Sequence, residues 1–389
     1  MSPMKSTKKA PLSASLDAPL VLLGGLSPQQ FMRRHWQKKP LLIRQAVPGV
    51  KPPIDRPALF DLAGQDEVES RLIVKSGSAD WTMRHGPLVR RSLPKLSQPG
   101  WTLLVQGLDL HVPAAHELLK QFRFVPEARL DDLVISYASD GGGVGPHFDS
   151  YDVFLLQVHG RRRWRVGPLK DASLCPDVPL KILSNFEPEF EWLLEPGDML
   201  YLPPMWGHDG VADGECMTCS IGFRVPEAAE LTREVLIRCV EGMDPDVKRV
   251  LYQDPQQPAT DEPGLIPSQL QSFAADAVRR FLSDPQQLYA ALGEVLTEPK
   301  PRVWFEPGEP LPPGVGVVLD ARTRMVFDDR RIFVNGESWR AAGADARLMQ
   351  ALANRRCLDA KAVAKASAQA RELLDQWSED GWLHGGIAP

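Results

Sequence analysis

The chain has 389 residues, a formal net charge of −5 at pH 7 and a pI of about 6.0. A chain of this length is longer than a domain with one hydrophobic core normally is, so two or three domains are expected. The mild acidity argues against general nucleic-acid binding, and no apolar run approaches the roughly 18 residues of a membrane span.

The N-terminal segment predicts a short tail, then a helix and a strand. Residues 1–17 lack the apolar core of a secretory signal, so we expect a disordered tail. Ser27 suits the N-cap of a helix over residues 27–36, because a proline follows it in the first turn. Residues 40–44 are typical of a strand.

A glycine-rich run at 141–146 leads directly into His147-x-Asp149. In a strand, side chains alternate with period two, so His147 and Asp149 face the same side. His208 follows the apolar run 199–202, which is typical of a buried strand. Two imidazoles and one carboxylate form the facial triad of non-haem Fe(II) oxygenases, which leaves open coordination positions. Glycines before His147 would let the backbone approach the metal or a ligand closely. The alternative is that both histidines are satisfied core residues.

Residues 153–166 predict two strands joined by a turn at Gly160. Alternation places Arg162 and Trp164 on one face, and the arginines at 161, 163 and 165 on the other. If Trp164 packs inside, the guanidinium of Arg162 also lies inside and needs a carboxylate partner. A dicarboxylic acid bound to the iron would supply that carboxylate. The other arginines fit a solvated or substrate-facing strand face.

The pattern becomes helical after residue 226. Residues 227–240 and 267–296 have apolar residues at helical spacing. Proline-rich segments around 298–313 predict a linker between this helical part and the rest of the chain.

The C-terminal part combines strands and helices. Two strand-like runs surround a polar turn within 323–337, and helical runs follow at 345–354 and 359–380. This order is compatible with a winged helix. Residues 359–376 lack a clear stripe of lysine and arginine, which favours an interaction module over DNA binding.

These motifs resemble the JmjC-type 2-oxoglutarate oxygenases of the bacterial ribosomal oxygenase group, the ribosomal protein arginine hydroxylases. The similarity rests on residues 141–149, 151–157, 160–167, 195–208 and 220–224, and it extends to 35–40 and 76–105. The resemblance implies that His147, Asp149 and His208 bind the iron. It also implies that Arg162 pairs with the far carboxylate of 2-oxoglutarate, at a place where many JmjC enzymes have lysine.

The expected fold class is α+β, built on a double-stranded β-helix, or jelly-roll, barrel. Several short strands with Gly/Pro turns in residues 127–224 support the barrel. The expected domains are a disordered tail at 1–17, a JmjC catalytic barrel with flanking elements at 18–225, a helical dimerisation segment at 226–298 and a winged-helix-like domain at 299–389.

The resemblance implies a protein hydroxylase that depends on Fe(II), 2-oxoglutarate and O₂. Its implied target is the β-carbon of an arginine in a large-subunit (50S) ribosomal protein, protein L16. Scattered cysteines suit a cytoplasmic protein, and we expect a homodimer that binds neither DNA nor membranes directly. Alternatives are a ribosomal protein histidine hydroxylase, a lysine demethylase using the same iron centre, and a non-catalytic cupin-like sensor or binding protein.

An arginine substrate would need a carboxylate near the iron, because a guanidinium does not enter a dry site unpaired. Asp140, before the glycine-rich run, and Asp152, just past the iron-binding strand, are the candidates for the pocket mouth. Both fit a turn-capping role equally well.

Overall fold

The structure, a computed structural model, describes residues 16–77, 80–243 and 250–386. The chain forms two compact units: the first ends at Val225 and also contains Pro301–Trp304, and the second contains Pro226–Lys300 and the chain from Phe305 onward. Apart from its last two residues, the tail predicted at 1–17 lies outside the described residues. No helix in the described part of the chain is both long and apolar enough to cross a membrane.

The first unit is the predicted jelly-roll, built on one large antiparallel sheet with flanking helices. Its strands are β1 Leu41–Ile43, β2 Ser70–Lys75, β3 Trp81–His85, β4 Trp101–Val105, β5 Leu130–Ala138, β6 His147–Phe148, β7 Val153–Pro168, β8 Phe190–Leu194, β9 Met199–Leu202 and β10 Trp206–Phe223. Its helices are α1 Pro28–Arg34, α2 Arg56–Leu62, α3 Leu108–His111 and α4 Pro113–Leu119.

Two long strands, β7 and β10, each belong to two layers of the barrel. The main layer has the order β1-β9-β7-β10-β5-β4-β2-β3, while β8 pairs with the second half of β7 and β6 pairs with the start of β10. Buried side chains from both layers form one cluster in the barrel interior: Val153, Leu155, Trp164, Val166, Leu194, Leu200 and Leu202. The smaller layer β8-β7-β10-β6 therefore lies against the main one.

The prediction of a turn at Gly160 is wrong, because β7 continues through it as one strand. Gly160 has a φ of 61°, and a Cβ there would collide with the carbonyl oxygen of Glu215. The pairing of β7 with β10 shifts register between Asp213 and Met217. A bulge of this kind bends a strand without reversing it, so β7 passes from one layer to the other.

The helices cover the outer face of the main layer. Phe31 of α1, Leu59 of α2 and Phe122 belong to one large buried cluster with the strands. The predicted N-cap is confirmed: the backbone N–H of Gln30 donates to Ser27 Oγ at 3.2 Å, and its side chain accepts from the Ser27 backbone N–H at 3.0 Å.

The second unit begins with helices and ends with a winged-helix-like part. Its helices are α5 Ala228–Glu241, α6 Ser268–Phe281, α7 Pro285–Thr297, α8 Gly343–Arg355, α9 Ala360–Val363 and α10 Ala368–Glu379. Its strands are β11 Gly316–Leu319, β12 Met325–Phe327, β13 Arg331–Val334, β14 Glu337–Arg340, β15 Cys357–Leu358 and β16 Leu383–Gly386. They form two small antiparallel sheets, β15-β11-β16 and β12-β13-β14.

The single helical run predicted over 267–296 is two helices. Asp284 caps α7 through the backbone N–H of Gln286 at 2.9 Å, and Pro285 occupies the first turn. Proline cannot continue a preceding helix because it lacks the N–H and clashes with the turn before it. The apolar periodicity continued across the break and concealed it.

Candidate metal and co-substrate site

The three side chains predicted to bind metal come together at one end of the barrel. His147 on β6 pairs directly with His208 on β10, and their ring centroids lie 4.2 Å apart. Oδ2 of Asp149 lies 3.6 Å from Nε2 of His208. One possible ligand atom from each residue lies within 4.8 Å of the others. This is the donor set and the proximity that a facial triad requires.

Backbone carbonyls orient both imidazoles. Nδ1 of His147 lies 2.9 Å from the carbonyl oxygen of Gly145, and Nδ1 of His208 lies 3.0 Å from that of Trp206. A protonated Nδ1 that donates to a carbonyl leaves the lone pair of Nε2 for a metal. Burial, together with the neighbouring His147, lowers the pKa of His208 to about 4. His208 is therefore neutral at neutral pH, which is the metal-binding form.

The glycine-rich run before His147 packs against protein backbone. A Cβ on Gly143 would lie 2.5 Å from the carbonyl oxygen of Gly210. At Gly143, the absence of a side chain allows a close approach to β10. This contact sets the run beside the strand that carries His208.

Arg162 lies inside the barrel, as the alternation in the sequence predicts. It is 5 % exposed, and its Nη1 donates to Ser136 Oγ at 3.2 Å. Its Nε and Nη2 are buried and have no hydrogen-bond partner among the described residues. A buried, unpaired charge costs several kcal/mol, on the order of 3–5 when a partner is removed. A carboxylate from a bound molecule would satisfy the guanidinium.

Trp164 lies between the metal ligands and Arg162. In the pairing of β10 with β7, His208 lies opposite Val166, Gly210 opposite Trp164, and Ala212 opposite Arg162. The indole lies 5.9 Å from the His208 ring, and the Arg162 Cζ lies 5.7 Å from the indole. A Cβ on Gly210 would lie 2.6 Å from this ring, so only glycine leaves room for it. The indole therefore lines the space between the triad and the guanidinium of Arg162.

The other arginines of β7 point outward and are paired. Arg161 lies 3.3 Å from Asp213, Arg163 lies 2.9 Å from Glu191, and Arg165 bonds to Asp209. The three arginine side chains are about half exposed. They form a solvated strand face.

The predicted role of Asp140 at the pocket mouth stays a prediction. Its Oδ1 accepts from the backbone N–H of Gly214 at 2.9 Å, and its side chain is exposed. Gly214 is six residues beyond His208 on β10, which corresponds to about 20 Å at roughly 3.3 Å per residue. The carboxylate of Asp140 therefore caps the backbone near the middle of β10.

Asp152, the second candidate for the pocket mouth, lies inside the protein. It is fully buried, and it accepts from the hydroxyl of Tyr201 at 2.6 Å and from Gln37 Nε2 at 3.0 Å. Arg129 Nη2 lies 3.7 Å away. The carboxylate joins β9 to the N-terminal segment, because the chain turns inward after Asp149 before β7 begins.

Tyr151 is a site residue that the sequence reasoning missed. It is 39 % exposed, and it lies two residues beyond Asp149. Burial raises the pKa of Tyr151, and the carboxylates of Asp149, Asp132 and Asp131 raise it further. The spacing Asp149-x-Tyr151 was a usable signal. Asp131 and Asp132 lie on β5, which pairs with β10, and no local pattern relates them to Tyr151.

Family models match two parts of the chain. A JmjC domain model matches residues 117–231, and a ROXA-like winged-helix model matches residues 280–384. The first range contains the triad and Arg162, and the second contains the sheets and helices of the C-terminal part.

Several known proteins are similar to this chain. The ribosomal protein uL16 3-hydroxylase of Escherichia coli K12 is 37 % identical over 287 residues, which are 72 % of this chain and 74 % of that protein. A probable ribosomal oxygenase of Haemophilus influenzae is 38 % identical over 209 residues, about half of each chain. The X-ray structure of E. coli ycfD superposes with a TM-score of 0.80 at 30 % identity, covering 92 % of this chain and 98 % of that one. A structure of YcfD with cobalt and 2-oxoglutarate gives a TM-score of 0.78 at 29 % identity, with the same coverage.

Proposed function

This chain belongs to the JmjC-type ribosomal oxygenases, which are 2-oxoglutarate- and Fe(II)-dependent dioxygenases, and from that premise we propose that it hydroxylates the β-carbon of an arginine in ribosomal protein uL16 (L16). The similarity to the uL16 3-hydroxylase supports the ribosomal substrate. The observation that carries the chemistry is the buried guanidinium of Arg162, which has two unpartnered nitrogens beside a preformed triad.

Each residue of the site has a distinct role in this proposal. Iron, 2-oxoglutarate and O₂ together supply the oxidation that yields succinate, CO₂ and a hydroxylated substrate carbon. His147, Asp149 and His208 hold the iron, with Nδ1 of both histidines engaged by carbonyls. Arg162 binds the remote carboxylate of 2-oxoglutarate, and Trp164 excludes water between the two.

The substrate guanidinium is best accommodated beside Tyr151. The carboxylates of Asp149, Asp132 and Asp131 all raise the pKa of Tyr151. Asp132 is buried, and Asp131 lies 3.3 Å from Arg224. Negative charge of this kind beside Tyr151 would favour a cationic side chain.

The decisive experiment is intact-mass analysis of large-subunit ribosomal proteins from cells with and without this chain. We expect uL16 to be heavier by one oxygen atom when the chain is present, and fragmentation to place the oxygen on an arginine. An oxygen located on a histidine, or a mass difference that corresponds to lost methyl groups, would replace the arginine assignment with the alternative chemistry.

The acidic site for the guanidinium has its own test. Asp132→Asn should lose most peptide hydroxylation while it retains 2-oxoglutarate consumption in the absence of peptide. Asp213→Asn is the matched control, because it removes an outer-face carboxylate that pairs with Arg161. Equal peptide turnover in both variants would place the guanidinium elsewhere. Thermal unfolding checks that Asp132→Asn is folded.

A cytoplasmic homodimer is the second part of the proposal. α5 and α6 expose large apolar side chains: Ile237, Val240, Leu270 and Val278. Patches of this kind mark interaction surfaces when they are contiguous. Light scattering should give twice the 43.2 kDa chain mass at micromolar concentration. Val278→Glu should yield the monomer, whereas Leu174→Glu, an exposed change in the first unit, should not.

A further inference from the structure

Strand pairing places an aromatic residue in the same row as the two histidines, where a row is a line of directly paired residues across neighbouring strands. His147 pairs with His208, His208 with Val166, and Val166 with Phe190. Directly paired residues lie on the same face of an antiparallel sheet, so Phe190 faces the same side as the metal ligands. Two strand spacings of roughly 4.8 Å put Phe190 about 10 Å from His208.

Phe190 is held as a flat, accessible platform. Its ring stacks on Trp192 with centroids 5.1 Å apart and an interplanar angle of 14°. Phe190 is 42 % exposed, whereas Trp192 packs against the buried cluster of the barrel interior. Among the described strands, β8 pairs with β7 alone. One face of the Phe190 ring is therefore fixed by protein, and the residue remains open to a partner at the edge of the barrel.

The chain leading into β8, next to this platform in sequence, carries a net negative charge. Glu189 directly precedes Phe190, and both Glu187 and Glu189 pair with the same cation, Lys170, at 3.6 and 3.7 Å. Glu191 is paired separately with Arg163. One carboxylate is thus in excess at the start of β8. An aromatic face with surplus negative charge nearby suits a cation, whose attraction to the ring amounts to about 0.5–2 kcal/mol.

We propose that Phe190, supported by Trp192, binds a cationic side chain of the substrate protein about three residues away from the hydroxylated arginine. The separation follows from the 10 Å estimate, because an extended chain advances roughly 3.3–3.6 Å per residue. The inference rests on the proposed function, since the row is measured from the metal ligands. Phe190 would then select basic segments, while the acidic site beside Tyr151 holds the target residue.

The test compares two arginine peptides on three enzymes. One peptide has lysine at the third position on each side of the arginine, and the other has glutamine there. The enzymes are the wild type, Phe190→Leu, and Leu174→Ala as the control, because Leu174 is equally exposed at 42 % but lies outside the row. Leucine keeps an apolar contact with Trp192 and removes the aromatic face.

We expect the wild type to prefer the lysine peptide about three- to tenfold in kcat/KM, as a partly exposed cation–π contact allows. Phe190→Leu should lose most of that preference, keep its turnover of the glutamine peptide, and keep 2-oxoglutarate consumption without peptide. Leu174→Ala should behave as the wild type. An unchanged preference in Phe190→Leu, or an equal loss for both peptides, would overturn the inference.

Anaerobic binding separates this inference from the proposed function. Both peptides are titrated into enzyme loaded with Co(II) and 2-oxoglutarate, and the dissociation constants are read by fluorescence anisotropy. The proposed reaction would be contradicted, and the subsite supported, by a Phe190-dependent preference for binding the lysine peptide if the iron-loaded enzyme hydroxylated neither peptide in air. Hydroxylation of the peptides with no dependence on Phe190 in either assay would support the proposed reaction and contradict the subsite.

Discussion

The two faces of β7 use the same residue type in opposite ways. On the outer face, Arg161, Arg163 and Arg165 each pair with a carboxylate of the neighbouring strands. On the inner face, Arg162 has Ser136 as a neutral partner, and two of its nitrogens lack any hydrogen-bond partner among the described residues. The outer arginines complete a protein surface, whereas the inner arginine is arranged for a carboxylate that a ligand brings.

This difference follows from desolvation. A half-exposed guanidinium is still solvated, so its pairing contributes little to stability. A buried guanidinium without a carboxylate weakens the fold and is retained only where something else compensates. We therefore expect changes on the inner face to affect binding and turnover, and changes on the outer face to affect stability alone.

The largest effect should come from removing the inner carboxylate next to the histidines. Asp149→Ala removes one of three ligands and should lower metal affinity by more than the roughly 10–100-fold that loss of an outer partner costs. Turnover should disappear with the metal. Metal content after dialysis and succinate formation measure the two effects. Asp213→Ala, on the outer face, serves as the control, and full metal binding by Asp149→Ala would contradict the ligand assignment.

The next effect concerns the inner arginine. A charge-assisted pair in a dry site contributes about 1.5–3 kcal/mol, so Arg162→Ala should raise the 2-oxoglutarate concentration for half-maximal turnover about ten- to a hundredfold. Arg162→Lys should be milder, because one charged donor remains. Arg161→Ala, one residue away on the outer face, should leave the requirement unchanged. A matching loss in Arg161→Ala would remove the distinction between the faces.

A smaller effect is expected where the outer pair has one buried member. Asp209 is almost fully buried, while its partner Arg165 is about half exposed. Arg165→Met would leave the carboxylate without its cation and should lower the free energy of unfolding by about 1–3 kcal/mol. Denaturant unfolding measures this change. The 2-oxoglutarate requirement should not move, and a shift comparable to that of Arg162→Ala would argue against separate roles.

The smallest effect should come from the fully solvated pair. Arg163 and Glu191 are both about half exposed, so Arg163→Met should change the free energy of unfolding by less than about 1 kcal/mol. The same denaturant experiment applies. A loss as large as that of Arg165→Met would show that the exposure of an outer ion pair does not determine its contribution to the free energy of unfolding.

Local patterns in the sequence predicted the parts of the site that lie on single strands. Period-two alternation placed Arg162 and Trp164 inside, and the His-x-Asp spacing placed His147 and Asp149 together. The N-cap at Ser27 was likewise readable, because its partner Gln30 is only three residues away.

Features that depend on distant pairing were not readable. Ser136 reaches Arg162 because β5 lies beside β10, and no local spacing in the sequence records that neighbour. The partners of Asp140 and Asp152 were likewise not readable, because Gly214 and Tyr201 are distant along the chain. Gly160 suggested a turn, since a strand bulge and a hairpin both favour glycine.

The most direct test of the difference between the two faces is discrimination between 2-oxoglutarate and 2-oxopentanoate, which has a methyl group in place of the remote carboxylate. Calorimetric titration of the metal-loaded protein gives both affinities for the wild type, Arg162→Ala and Arg161→Ala. We expect the wild type and Arg161→Ala to bind 2-oxoglutarate at least about tenfold more tightly than 2-oxopentanoate, and Arg162→Ala to bind both nearly equally. Full discrimination in Arg162→Ala would show that the remote carboxylate binds elsewhere and would contradict the role of the inner arginine.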